Sequence, residues 1–268
     1  MNDPAIGVDI DDLRLETKTA LRAAGELGFR LAELATVAGD LAPRNLSRSG
    51  RRHLIRLADG FGVKITALVA DLPHLRLTDP ASVEERIART CDVLELARDM
   101  EVRVVSAAVG RLTDASSSTS SPHALEALHR IGEFADARGV CFAIRPTHER
   151  GDRIADVLDR LRCPAIQLCL DPAEPIMAGV NPLAGLDRLA GDVALVHARD
   201  ATAGIDDRVG REVVLGEGDV DFASLFAALD AADHHGPIIL RRTDSIAPVD
   251  DLQTGRTNLS RFLPPNWV

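Results

Sequence analysis

Tyrosine is absent from this chain, and aromatic residues make up only 3% of it. Aromatic platforms for stacking bases or sugar rings are therefore scarce. Basic runs are missing too: nothing longer than pairs such as Arg51-Arg52 occurs, and the formal net charge is −10. That balance argues against a nucleic-acid partner. No apolar run approaches the roughly 20 residues that cross a bilayer, so no membrane partner is expected. The opening Met1-Asn2-Asp3-Pro4 has neither the charged nor the apolar region of a secretory signal. The cysteines Cys91, Cys141, Cys163 and Cys169 show no CxxC spacing and mostly sit among apolar neighbours. They read as small buried hydrophobes in a reducing compartment, and the expected location is cytoplasmic.

What the chain does have is apolar content, 46% of 268 residues, enough for one sizeable core. Strand-like runs alternate with amphipathic runs from end to end. Strands are expected at Ala5–Val8, Leu31–Leu34, Val63–Val69, Val102–Val109, Val140–Ile144, Ile166–Leu170, Val193–Val196 and Pro237–Leu240. Helices are expected at Glu16–Leu27, Ser49–Asp59, from Ser82 onward, from Pro122 to Gly139, at Asp152–Leu161, from Asn181-Pro182 to Leu189, and at Phe222–Ala232. Ser82 and Glu85 have capping-box spacing, while Ser121 and Asp221 stand at N-cap positions. The polar segment Ser116–Ser121 reads as an exposed loop. Eight strands alternating with helices over about 250 residues predict a single (β/α)8 TIM barrel spanning 1–268. A doubly wound sheet would carry a Gly-rich phosphate turn after its first strand, and Asp9–Asp12 contains none.

Barrels of this kind place their chemistry at the C-terminal strand ends. Glu33, His74, Arg145, Asp171, His197 and Arg241 each end or follow an apolar run, and Glu174 comes three residues after Asp171. The segment after His197 continues through Asp200 and Arg211 to Leu215-Gly216-Glu217-Gly218-Asp219-Val220-Asp221-Phe222. Asp200 and Arg211 can either contact a substrate or order the loop. His74 either lines the pocket or is solvated. His148 falls in a surface-type loop, and His234-His235 precedes the last strand at the bottom of the barrel, where a structural role is expected.

Several of these pieces together resemble the xylose isomerase-like sugar isomerases and epimerases. They are Leu27-Gly28-Phe29-Arg30-Leu31-Ala32-Glu33-Leu34, Cys169-Leu170-Asp171-Pro172, His197-Ala198-Arg199-Asp200 and the Leu215–Phe222 turn. The resemblance implies a TIM barrel, a small sugar-like substrate, and Mn²⁺ or Mg²⁺ held by Glu, Asp, His and Glu from separate strand ends. Asp171 and His197 match two of those ligands. Arg145 and Arg241 stand where the two glutamates belong, and Glu174 where a His is frequent. In many members the two glutamates also move the substrate's protons.

The exchange of two carboxylates for two guanidiniums alters the local charge by four units. Arginine has no lone pair to give a metal. At an effective dielectric near 20, two like unit charges about 4 Å apart repel by about 4 kcal/mol, and a dication doubles that. No metal is therefore expected in the family's manner, and no other cofactor. Two arginines facing one pocket either grip an anionic substrate through forked hydrogen bonds or pair with Asp171 and Glu174 in a closed ion network.

Two readings of function stay open. One is an isomerase or epimerase, with His197 as the proton-transfer group oriented by Asp171 or Glu174, and Arg145, Arg241, Glu33, His74 and Arg211 around the substrate. The other is a barrel without catalysis that serves as a ligand-binding or partner subunit. A related barrel branch that cuts DNA at abasic sites uses a richer cluster of metal ligands, which this acidic chain lacks. Apolar barrel faces also leave a homodimer open.

Overall fold

The computed structural model describes residues 6–112, 120–147, 149–204, 209–264 and 267. Eight parallel strands close a barrel: β1 (Ile6–Asp9), β2 (Leu31–Ala35), β3 (Lys64–Val69), β4 (Val104–Gly110), β5 (Cys141–Pro146), β6 (Ile166–Leu170), β7 (Val193–Ala198) and β10 (Ile238–Leu240). β1 pairs with β2 on one side and β10 on the other, which completes the ring. Between them run α1 (Thr17–Glu26), α2 (Arg48–Gly60), α3 (Val83–Asp99), α4 (Pro122–Asp136), α5 (Gly151–Leu161), α6 (Ala173–Met177), α7 (Leu186–Leu189) and α8 (Phe222–Ala231), and α9 (Pro248–Leu259) follows β10. The expected (β/α)8 fold is the observed one. Among the described residues no helix is long and apolar enough to cross a membrane.

The strands are buried on both faces, as a parallel sheet under helices requires. Outward residues such as Val105, Phe142, Leu168 and Val196 join the main core beneath the helices. Inward residues form a second, thinner core of Ala67, Val104, Ala143, Cys169, Ala194, Leu195 and Ile239. Because side chains alternate along a strand, two residues further on the same face turns polar. Leu31 leads to Glu33, Val104 to Ser106, Ala143 to Arg145, Cys169 to Asp171, Leu195 to His197 and Ile239 to Arg241. Strand periodicity alone thus stacks a charged layer on the apolar plug.

Several expectations need correction. The first strand begins at Ile6, and Ala5 lies outside the described residues. So do residues 113–119, most of the expected polar loop, and His148. Ser82 does not close a capping box: its hydroxyl bonds Asp79 Oδ2 at 3.0 Å and accepts from the Arg76 N–H at 3.1 Å. The expected helix from Asn181 is only the short α7. Helix forms earlier, at α6, because Gly179 and Pro182 interrupt the run between them. Helix α9 was not expected at all. Its core face carries only Leu252, Gly255 and Leu259, too little apolar pattern to read. The strand pair β8 (Asp200–Thr202) and β9 (Arg211–Val213), an antiparallel ribbon over the barrel mouth, was also unforeseen.

Candidate active site at the barrel mouth

Glu33 and His197 meet across the barrel from β2 and β7. Glu33 Oε2 lies 2.7 Å from His197 Nε2, and neither side chain has any exposed surface. Ser106 donates to Glu33 Oε1 at 2.6 Å. The other ring nitrogen, Nδ1, lies 3.2 Å from Arg145 Nη1. A guanidinium can only donate, so Nδ1 accepts and Nε2 carries the proton toward Glu33. Burial works to raise the Glu33 pKa, but His197, Arg241 and Ser106 outweigh it and hold it at about 2. Burial pushes His197 below its usual value despite the pull of Glu33, with Arg241 and Arg145 adding to the effect. The set is an ionised carboxylate, a neutral imidazole and a guanidinium in one chain of hydrogen bonds.

Arg145 extends the chain. Its Nη2 donates to Asp71 Oδ2 at 2.7 Å, and Asp71 Oδ1 accepts from the Ala108 N–H at 2.6 Å. Burial works to lower the Arg145 pKa, but Asp71 together with Asp171 and other neighbours outweighs it, so the guanidinium stays charged. Nearby, the buried Arg86 donates to the carbonyls of Leu72 and Ala108, each at 2.8 Å, and ties the loop after β3 to β4.

Arg241 follows β10 and reaches back to the start of the chain. Nη2 lies 2.9 Å from Asp9 Oδ2, and Nε donates to Asp12 Oδ2 at 3.2 Å. Burial foremost, then Asp12 and Glu33, raise the Asp9 pKa well above its usual value against the pull of Arg241. A third guanidinium, Arg199, lies 3.4 Å from Asp171 Oδ2, 3.8 Å from Glu174 Oε1 and 3.7 Å from Glu212 Oε2. Burial would raise Asp171, but Arg199 first, then His197 and Arg145, keep it below the usual range. A fourth, Arg242, joins Glu212 at 3.3 Å and Asp251 at 2.9 Å.

Of the two alternatives for the arginines, ion pairing is present, with partners other than those expected. Arg145 pairs with Asp71, and Arg241 with Asp9 and Asp12; it is Arg199 that pairs with Asp171 and Glu174. The orientation of His197 likewise comes from Glu33 and Arg145 rather than from Asp171 or Glu174. Glu33, Arg145, Asp171, Glu174, His197 and Arg241 are brought together. His74 is exposed on the loop after β3, and Arg211 is exposed on β9; neither joins the cluster. Asp9, Asp12, Asp71, Ser106, Arg199, Glu212 and Arg242 were missed. Asp9 and Asp71 could have been found by the strand-end rule, since Asp9 closes Ile6-Gly7-Val8 and Asp71 stands two residues past β3.

Asp200 is buried and orders the loop that follows. Its carboxylate accepts from the N–H groups of Ala201, Gly216 and Gly218 at 2.9 Å and of Val220 at 3.3 Å. A Cβ at Gly218 would lie 2.2 Å from Asp200 Oδ1, so only glycine lets the loop close on the carboxylate.

Beside this layer, Arg145, Asp171 and Glu174 line a cavity of about 50 Å³ between the ends of β5 and β6 and the α6–α7 segment. Glu174 is 25% exposed there, and Arg199 is its ionic neighbour. Asp171 Oδ2 has no hydrogen-bond partner among the described residues. As a donor set for a divalent cation the mouth fits poorly. Guanidiniums hold two of the four ligand positions that the family resemblance implies, and one of them engages His197 Nδ1. Among the described residues no group of three or more His, Cys, Asp or Glu is arranged to hold a metal.

Comparison with known proteins matches residues 21–261 to a family described as xylose isomerase-like TIM barrel. Over 173 residues the chain is 28% identical to an L-ribulose 3-epimerase from Methylomonas sp. (strain DH-1), covering 60% of this chain and 57% of that protein. Over 132 residues it is 24% identical to an inosose dehydratase from Clostridium beijerinckii, covering 43% and 44% respectively. The chain thus spans about half the length of the curated relatives it matches. Among solved structures, a xylose isomerase domain protein from Planctomyces limnophilus superposes with a TM-score of 0.81, over 97% of this chain and 98% of that one, at 18% identity. The IOLI protein with a bound zinc atom superposes with a TM-score of 0.78, over 97% and 99%, at 16% identity.

Proposed function

The chain belongs to the xylose isomerase-like TIM-barrel family, and from that premise we propose that it moves a proton at the carbon beside a carbonyl in a small sugar, sugar acid or sugar phosphate. The names of the two relatives, an epimerase and a dehydratase, support that substrate class. The observation that carries the reading is the cavity lined by Arg145, Asp171 and Glu174, which sets a fixed cation beside a partly exposed carboxylate.

A carboxylate there takes the proton from the carbon next to the carbonyl, and the electron pair moves onto oxygen to give an enediolate. Arg145 supplies the charge that stabilises that oxygen. In an isomerase the proton then returns to the neighbouring carbon while the enediolate's hydroxyl proton passes to the adjacent oxygen; in an epimerase a second acid delivers a proton to the opposite face of the same carbon, and the first carboxylate releases its own to solvent. Glu174 is the assigned proton carrier and Asp171 its partner. His197 has no exposed surface and both nitrogens engaged, so its role is to position Arg145 through Nδ1. Arg241 adds positive potential from behind Glu33, and its pairing with Asp9 and Asp12 limits its grip on a substrate anion. In this reading the guanidiniums serve where the family's divalent metal would, and no step depends on a metal. The cavity holds only a few water-sized groups as it stands, so a sugar enters when its α6–α7 wall opens.

The alternative, a barrel that binds without turnover, is favoured by one observation: Arg145, Arg199, Arg241 and Arg242 already have carboxylate partners. Proton exchange separates the two. The protein is incubated in D₂O with a ketose, an aldose and a keto-inositol, with chelator or with Mn²⁺, and followed by proton NMR. Deuterium entering beside the carbonyl in the presence of chelator supports the proposal. Exchange that needs Mn²⁺ overturns its metal-free part, and no exchange with any substrate leaves the binding barrel.

A further inference from the structure

A second cavity lies at the other end of the barrel. About 570 Å³ of space opens among the N-terminal strand ends, where β2, β3, β4, β7 and β10 begin. Small inward residues such as Ala67, Ala143 and Ala194 leave the barrel floor thin. Volumes of this order are typical of sites for small organic molecules.

One wall is built by the chain's end. Trp267 lies with its ring centroid 5.7 Å from His234 and donates from Nε1 to Asp230 Oδ1 at 2.9 Å. His234 is itself buried and fixed by a 3.1 Å bond from Nδ1 to the Val193 carbonyl. Its Nε2 has no hydrogen-bond partner among the described residues. Leu31 supplies apolar floor. At the rim stand Lys64 and Arg103, both exposed, and neither forms a salt bridge among the described residues. Glu101 is the one carboxylate among the lining residues described, so the rim is net positive.

We propose that this N-terminal cavity is a binding site for a small organic anion with a flat apolar body, its charge facing Lys64 and Arg103 and its body against Trp267. The site is independent of the chemistry assigned to the barrel mouth, which gathers at the opposite ends of the same strands. A charge-complementary rim over an apolar wall favours such a ligand over a neutral sugar, which would leave both cations without partners.

Trp267 makes the test direct. It is the chain's only tryptophan and there is no tyrosine, so intrinsic emission reports on this cavity alone. Benzoate is titrated against the full chain, with benzamide as the neutral isostere. Benzoate is expected to change Trp267 emission saturably and to bind about tenfold more tightly than benzamide. The change should weaken with added salt. Lys64→Gln with Arg103→Gln, both at exposed positions, should remove the preference for benzoate while leaving the unliganded emission unchanged. No response to benzoate at millimolar concentration overturns the site. Equal binding of benzamide, or a preference that survives the double substitution, overturns its anionic character.

Discussion

Glu33 and His197 lie 164 positions apart in sequence and share a 2.7 Å hydrogen bond that no solvent reaches. Removing the carboxylate leaves the buried His197 Nε2–H without an acceptor, which costs about 1–3 kcal/mol. Glu33→Ala is therefore expected to lower the unfolding free energy by about that amount in urea denaturation. A loss below about 1 kcal/mol would mean that the pair is solvated in the native protein.

The same contact sets an acid limit. Glu33 is held at about 2 against an ordinary 4.5, and His197 lies below an ordinary 6.5. In both cases the unfolded chain binds protons more readily than the folded one. Their stability is thus fully present above the unfolded values and lost as pH falls through the folded ones. His197 gives way first, below about pH 6.5, and Glu33 between about pH 4.5 and 2. Asp9, raised by burial, works in the opposite sense, its contribution lost as pH rises through its folded value. Comparing variants isolates the pair: His197→Phe should flatten the fall in unfolding free energy between about pH 7 and 5. An unchanged slope would assign the acid sensitivity to other groups. Nitrogen chemical shifts should also show His197 neutral with its proton on Nε2.

The barrel was legible because alternation of apolar strands and amphipathic helices is a local signal. Glu33, Arg145, Asp171, His197 and Arg241 were legible because the residue two past an inward apolar position lands at the mouth. The pairing was not. Asp12 and Arg241 are 229 positions apart and Asp71 and Arg145 are 74 apart, and nothing local says which carboxylate each guanidinium will meet. A shared place at the strand ends suggested Asp171 and Glu174 as partners, whereas strand order around the ring sets Arg145 beside the loop after β3 and Arg241 beside β1. Helix α9 stayed hidden for a different reason, since Gly255 and two leucines give it almost no apolar stripe.

Asp200 accepts from four backbone N–H groups, its neighbour Ala201 and three in the Gly216–Val220 turn. Each would lose its carboxylate acceptor in Asp200→Ala, and the buried donors of Ala201 and Val220 would be left unsatisfied at about 1–3 kcal/mol apiece before relaxation. Asp200→Ala should lower stability by at least about 3 kcal/mol, and hydrogen exchange should quicken at Gly216 and Gly218 first. Gly218→Ala should loosen the same turn by steric means, because its Cβ has no room beside Asp200. Protection that survives both changes would show that the turn is held elsewhere.

Charge reversal at the mouth tests what the arginines replace. In Arg145→Glu with Arg241→Glu, new carboxylates would join Asp171 and His197 and face Asp71, Asp9 and Asp12. That set repels itself without a cation and offers oxygen and imidazole donors to one. The double variant should be less stable than the parent, and Mn²⁺ should raise its melting temperature in a concentration-dependent way. Calorimetry should find stoichiometric Mn²⁺ in the variant. A variant that binds no Mn²⁺ would break the proposed correspondence between these arginines and the family's metal ligands.

Glu174 is the residue on which the proposed chemistry depends most directly. It is partly exposed and its ionic neighbour Arg199 is 3.8 Å away, so its removal should cost little stability. Glu174→Gln keeps the shape and removes the ability to carry a proton. Loss of general acid–base catalysis typically lowers turnover about 10²- to 10⁴-fold, and KM should change far less. Arg145→Gln should also lower kcat, but by loss of enediolate stabilisation and with reduced stability, since Asp71 and His197 Nδ1 lose their donor. The two variants therefore differ in kind: one is folded as well as the parent and slow, the other slow and less stable. Equal deuterium exchange in Glu174→Gln and the parent would move the proton-transfer role to another carboxylate of the cavity, with Asp171 the next to substitute.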